Sequence, residues 1–259
     1  MHAPYPFLTV TAAVAYINGL FPGGLPWSNG VIGVPPRQYD VTVTHVIIHC
    51  LPGRYTRTLL VNNPPRDPDP TNWLRPNGET FPIDLPNRVS IQGTSALNTV
   101  FCLEKDPDLM NADRAQGPAF RFGASTDTAG IESVVDSVSI YGAPRATTLP
   151  SNPGPQYFAG IYLAPTAQSS PTITNCFVFA CGSGVVVEAP DAVTEYHTPT
   201  LINNTIFDNT VGLWNGRVAL TQPSVGVSRL ILINNVFDGP VNYATRALYS
   251  TTLPWPWAS

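Results

Sequence analysis

Charge is what this chain has least of. Only 12% of its 259 residues are Asp, Glu, Lys or Arg, against about a quarter in an average soluble protein. Lys105 is the only lysine, beside twelve arginines. The net charge of −4 indicates no basic surface for a nucleic acid. No run of 18 apolar residues exists, so no membrane span is expected. The opening Met1-His2-Ala3-Pro4 lacks the pattern of a secretory leader; either one was removed or the domain is internal to a longer chain. The four cysteines, Cys50, Cys102, Cys176 and Cys181, include no Cys-x-x-Cys pair, which argues against a zinc site. Cys176 and Cys181 either bridge across a turn or stay as buried thiols, since cysteine behaves as a small hydrophobe.

Turn residues and apolar residues are plentiful instead. There are 28 Pro and 20 Gly, and 43% of the chain is hydrophobic, enough to exclude a disordered chain. At this length a compact chain buries roughly 70–75% of its unfolded surface. Three spans follow one pattern: Pro171-Thr172-Ile173-Thr174-Asn175-Cys176-Phe177-Val178-Phe179, Pro199 through Asp208, and Leu230 through Asp238. Each has a β-branched run, one or two Asn, then another β-branched or aromatic run. Asn175 to Asn203 is 28 positions and Asn203 to Asn234 is 31. Such a period marks a repeat architecture whose units bury their apolar faces only by stacking. The units are strand-like and are separated by Gly182-Ser183-Gly184, Asn209-Thr210-Val211-Gly212 and Asn215-Gly216. Two or three short strands per unit fit one coil of a parallel β-helix, with coils about 4.8 Å apart. Asn175, Asn203, Asn204, Asn234 and Asn235 then form a corner ladder of stacked amides, and Asn tolerates the left-handed backbone of such corners.

These Ile-x-Asn-Asn-x-Phe coils resemble the right-handed parallel β-helix of the pectate-lyase-like superfamily. The amino-terminal half is similar too. Phe7-Leu8-Thr9-Val10-Thr11-Ala12-Ala13-Val14 resembles the family's opening helix, and His45 through Tyr55 resembles its first coil, "I-x-V-x-P-G-x-Y". Phe81-Pro82-Ile83-Asp84-Leu85-Pro86-Asn87-Arg88-Val89-Ser90-Ile91-Gln92-Gly93 is similar to a "P-I-x-[IL]-P-x-G-V-x-[IL]-x-G" step of uncharacterised secreted members, with Asn87-Arg88 where those have Gly. The likeness covers roughly residues 7–240. It implies an all-β, right-handed parallel β-helix with a short N-terminal capping helix and an extracellular or cell-surface location. For function it is unspecific, because the superfamily holds lyases, hydrolases, esterases, adhesins and tailspikes.

The expected layout is a cap over residues 1–30, with a helix from Ala12 to Leu20, then the solenoid over 31–250 and a tail over 251–259. Excursions interrupt the coils near 62–80, 104–118, 143–156 and 188–198. The Pro-rich 62–80 segment is expected to hold no regular structure. Its Trp73, Arg66 and Arg75 are residue types that bind sugars or partners; alternatively Trp73 pins the loop to the solenoid wall. Asp106, Asp108 and Asp113 lack the Asp-x-Asp-x-Asp-Gly register of a calcium loop, so no metal or other cofactor is assigned and calcium has no motif behind it.

The polygalacturonase strings Asn-Thr-Asp, Asp-Asp and Gly-His-Gly are absent, as are the Gly-x-Ser-x-Gly elbow and the P-loop. The remaining constellation is Glu188, Asp191, Glu195, Tyr196 and His197, with Arg217 about one coil later. A lyase acting on uronates needs a cation and a base. Arg217, Tyr196 and His197 offer those roles; a polar loop with one exposed histidine is the plain alternative. His45 and His49 share one strand face and either line a groove or pack against the cap. Two functions stay open: binding or processing a polysaccharide, and a non-enzymatic structural or adhesive module of a larger surface or fibre protein. Uncapped solenoid ends also allow self-association.

Overall fold

The alternation of apolar and polar residues in short β-branched runs puts one face of each strand inward. Stacking turns those faces into a continuous core. The computed structural model describes residues 7, 9–20, 30–32, 39–41, 45–56, 59–60, 74–75, 78–103, 118–123, 132–142, 159–165, 169–189, 196–216, 227–238 and 248–250. Three parallel sheets with six described strands each make a parallel β-helix. Sheet A comprises Ile83–Asp84, Phe120–Phe122, Ala159–Leu163, Ser183–Glu188, Val211–Gly216 and Leu248–Ser250. Sheet B comprises Val46–Cys50, Val89–Gly93, Val134–Asp136, Thr172–Thr174, Thr200–Ile202 and Ile231–Ile233. Sheet C comprises Gly53–Tyr55, Thr99–Cys102, Ser139–Tyr141, Phe177–Phe179, Thr205–Phe207 and Val236–Phe237. The chain visits B, C and A in turn, coil after coil.

Register builds an interior column in each sheet. In sheet A it is Ile83, Phe120, Ile161, Val185 and Leu213; in B it is Ile91, Val135, Ile173 and Leu201; in C it is Phe101, Ile140, Val178 and Ile206. All are at most 2% exposed. At about 25 cal/mol per Å² of apolar surface, these columns are the largest favourable term in the fold.

One end of the columns is closed by the helix α1 (Val10–Leu20), which buries Val10, Ala13, Val14 and Ile17. Ile17 and Leu20 pack on Val46, Ile48 and Val89 of the first two coils. The helix starts two residues earlier than expected, because Glu79 reaches its N-terminus. The Glu79 carboxylate accepts from Val10 N at 2.7 Å, Thr11 N at 2.8 Å and Thr11 Oγ1 at 2.6 Å. It satisfies donors the helix leaves open, at its positive end. At the other end Leu232, in the interior column of sheet B, is 40% exposed.

The B-to-C corner takes two residues, and the amide ladder divides between them. Asn175, Asn203 and Asn234 are exposed and left-handed, with φ of 54°, 55° and 52°. Asn234 Nδ2 donates to Asn203 Oδ1 at 2.7 Å, and Asn203 Nδ2 to Asn175 Oδ1 at 3.5 Å. Asn175 Nδ2 continues the row to Asp136 Oδ1 at 2.9 Å. One coil earlier Gly93 stands in this column, where a Cβ would meet the Ser137 carbonyl oxygen at 2.2 Å. The second ladder points inward. Asn204 Oδ1 accepts from Cys176 N at 3.0 Å, and its Nδ2 donates to Ile173 O and Asn235 Oδ1, each at 2.9 Å. The C-to-A corner repeats this device unforeseen: Asn209 Oδ1 accepts from Cys181 N and its Nδ2 donates to Val178 O, both at 2.9 Å.

All four cysteines are buried and free. Cys176 and Cys181 sit at different corners, one coil below Asn204 and Asn209, and form no bridge. Burial pushes the Cys176 thiol up to about 12, which keeps it protonated. Part of the 62–80 excursion is regular after all: Leu74–Arg75 pairs antiparallel with Leu59–Leu60. Gly30–Ile32 likewise pairs antiparallel with Tyr39–Val41, and the parallel ladder begins at Val46. Arg88 of the Asn87-Arg88 step has a left-handed φ of 61°.

Two consequences are measurable by urea unfolding. Asn204→Ala strands the buried Cys176 N–H and Ile173 carbonyl and is expected to cost about 3 kcal/mol. Ala180 is left-handed at φ 54°, so Ala180→Gly is expected to gain about 1 kcal/mol; an unchanged midpoint would show that the corner relaxes.

Candidate functional site

The outward side of sheet A carries a row of polar and aromatic groups held on strands. Asp84, Arg121, Tyr162, Val186 and Trp214 follow one another in register, one per coil. Arg121 grips Asp84 with two bonds, Nε to Oδ1 at 2.5 Å and Nη2 to Oδ2 at 2.7 Å. The Asp84 carboxylate raises the Arg121 pKa further. One coil on, Tyr162 donates its hydroxyl to Glu188 Oε2 at 2.5 Å. This pair lies beside an apolar patch: Tyr162 is 8% exposed, Ala164 7% and Val186 0%, with Trp214 packed against them. Tyr162 faces away from the core because its neighbours Ile161 and Leu163 face in. A carboxylate held by a phenol, next to an aromatic ring and a rigid Arg–Asp pair, is a set that can orient hydroxylated ligands. Asp84 and Glu188 lie three coil steps apart, roughly 14 Å along the axis at 4.8 Å per step. That is far from the about 5 Å of a retaining glycosidase pair.

Of the residues singled out in the sequence, Arg66, Trp73, Asp191, Glu195 and Arg217 lie outside the described residues, as do Asp106, Asp108 and Asp113. Arg75 and Tyr196 are placed only by backbone, in the Leu59–Leu60 and Val227–Ser228 pairings. Glu188 ends a strand of sheet A and accepts from the Tyr162 hydroxyl. His197 departs from its expected place. It is 0% exposed, and its Nδ1 accepts from Ser169 N at 3.1 Å. The neutral ring therefore keeps its proton on Nε2 and is a donor, whereas a lyase base must accept. His45 and His49 are both exposed, and His45 Nε2 meets Ser90 Oγ at 2.6 Å.

Sheet C carries an aromatic row that the sequence reading missed. Tyr141 and Phe179 stack at 5.3 Å and 8°, Phe179 and Phe207 at 4.8 Å and 11°. The Arg54 guanidinium lies 5.8 Å from the Tyr141 ring centre. An aromatic after each interior Ile or Val (Ile140-Tyr141, Val178-Phe179, Ile206-Phe207) was the available signal. The inner ring faces of this row meet each other and Arg54 covers one end, so the stack stiffens the sheet and offers little ring surface to a sugar.

No family model matches the sequence, and no curated protein matches it. Among solved structures the chain is similar to pectin methylesterase PemA from Erwinia chrysanthemi, at 10% identity and a TM-score of 0.39, over 91% of this chain and 63% of that one. The chain thus spans less than two thirds of that enzyme's length. The parallel β-helix itself is read from the sheet order and register above.

Burial lowers the His197 pKa from 6.5 to about 4. The unfolded chain therefore binds the proton more tightly than the fold does. Stability from the neutral ring is complete above pH 6.5 and is lost as pH falls toward 4, by about 2–3 kcal/mol at pH 4.5. His197→Gln keeps an acceptor for Ser169 N and is expected to flatten that slope in urea unfolding between pH 7 and 4.5. An identical slope in both proteins would refute the assignment.

Proposed function

We propose that this protein is an extracellular carbohydrate-binding β-helix that lays a polysaccharide chain along the outer face of sheet A. The observation that carries the reading is the half-buried Glu188 carboxylate, held by Tyr162, with the half-buried Trp214 ring packed on the same cluster. Sugars have apolar ring faces and hydroxyl edges. An accessible part of the Trp214 ring near a carboxylate suits both, since a carboxylate accepts hydroxyl donors. The supporting strands are fixed by ladder bonds on both sides, which holds the groups in place without a ligand. Where the chain also cleaves its polymer, Tyr162 and Glu188 are the groups to exchange a proton, because they already share one.

A second reading, a non-enzymatic module of a larger surface or fibre protein, draws on the open end. Leu232 belongs to an interior column yet is 40% exposed, beside Ile231 at 45% and Ile233 at 49%. A surface of that kind suits contact with a further coil or chain.

One titration separates the two. The purified protein is measured by calorimetry against neutral and acidic polysaccharides, with 235 nm absorbance and reducing ends followed in parallel. Glu188→Gln and Tyr162→Phe are each expected to weaken binding about tenfold or more, while Arg54→Ala on sheet C leaves it unchanged. Binding that survives both sheet A substitutions places the site elsewhere. No binding to any polymer favours the structural module.

A further inference from the structure

Three buried side-chain atoms, His197 Nε2, Asn215 Oδ1 and Ser228 Oγ, have no hydrogen-bond partner among the described residues. A buried polar atom without a partner is costly, so each such atom in a stable fold points to something that satisfies it. Here the three belong to one place.

His197 and Ser228 are paired neighbours in successive coils. Counting back four residues from the register-matched Ile91, Ile173, Leu201 and Leu232 gives Asn87, Ser169, His197 and Ser228. Asn87, Ser169 and His197 are buried and Ser228 is half-buried. Asn215 is in register with Val187, and Val187 with Leu163, both core residues. This second column ends sheet A where the first begins the approach to sheet B. In an earlier coil the two columns are held by Leu85 and Asn87, two residues apart and only 3% and 2% exposed. The columns are therefore adjacent inside the solenoid. Where Leu85 stands in that coil, the later one has Asn215, and the neighbouring column has a histidine and a serine.

We infer that this interior corner between sheets A and B is a built site for an internal water, held by His197, Asn215 and Ser228. The chemistry of the three atoms selects the ligand. His197 Nδ1 is already an acceptor for Ser169 N, so Nε2 presents a proton. Asn215 Oδ1 only accepts, and the Ser228 hydroxyl does both. Water, with two protons and two lone pairs, matches one donor, one acceptor and one dual group. A metal cation finds a protonated nitrogen here, and an anion finds the Asn215 carbonyl oxygen. Two to four polar partners are what an internal water requires. The site lies behind the strands that carry Glu188 and Trp214 outward, and it does not depend on those residues binding sugar.

The test uses substitutions that reverse sign between the two cases. Asn215→Val installs the residue that the preceding coil has in this register, and Ser228→Ala removes only the hydroxyl. With a water bound, each change deprives it of a partner and is expected to lower the melting temperature by about 2–4 °C, and the double variant to fall by less than the sum because both act on one water. A melting temperature that rises or stays level in both variants would overturn the proposal, since the removed atoms were then unsatisfied. A high-resolution crystal structure reads the site directly: ordered density within hydrogen-bond distance of His197 Nε2 supports it. Side chains bonded to one another with no density between them refute it. The nitrogen chemical shifts of His197 check the starting point, with the Nε2-protonated tautomer required.

Discussion

The fold depends on a side-chain amide that bonds the backbone of the coil before it and the amide of the coil after it. Asn204 ties Cys176 N and Ile173 O of the coil before it to Asn235 of the coil after. At such a corner the chain turns inward and its backbone groups leave the sheet ladder, away from water. Unmet, each would cost about 1–3 kcal/mol. The inward amide answers a donor and an acceptor together from two separate atoms, where a hydroxyl has one oxygen for both and a methyl group has nothing to offer. Asn209 does the same at the next corner. The apolar columns supply the larger driving force, but they tolerate slippage, because one Ile or Val resembles another. The amides are what set the register.

Register in turn decides what each face can do. On sheet A, one residue per coil turns outward, so Arg121, Tyr162 and Trp214 form a row although 93 positions separate the first from the last. The same strands turn Val185, Val187 and Asn215 inward. A single strand thus serves the candidate ligand face on one side and the polar corner behind it on the other. Sheet C uses the same rule for a different end: its outward row is aromatic, and the rings stack on each other. Coil spacing near 4.8 Å is close to a comfortable ring-stacking distance, so a repeated aromatic consumes its own faces.

Much of the architecture was legible in the residues. The return of Asn at 28 and 31 positions, with the same β-branched flanks, announced stacked coils and a corner ladder. The helix, the first coil and the step through Arg88 were visible for the same reason: each is a local pattern. The ladder's division into an exposed left-handed row and a buried row was not visible, because Asn203 and Asn204 look alike until one knows which way the corner turns. Glu79 was read as part of a loop, and only the approach of the first coil to α1 makes it the helix cap. His197 was placed among charged loop residues by its neighbours in sequence, yet its neighbours in space are Ser169 and Ser228.

What the sequence determined by itself, then, is everything that repeats: strand type, coil length, the corner residue, the apolar columns and the closing helix. These depend on separations of a few residues or on one fixed period, and such distances survive in a one-dimensional string. The tertiary structure alone decided which polar residues meet. Arg121 and Asp84, Tyr162 and Glu188, His197 and Ser228 are 37, 26 and 31 positions apart, and the excursions between them differ in length from coil to coil. No spacing rule survives such insertions, whereas the hydrogen-bonded register of the sheets restores the alignment in every coil.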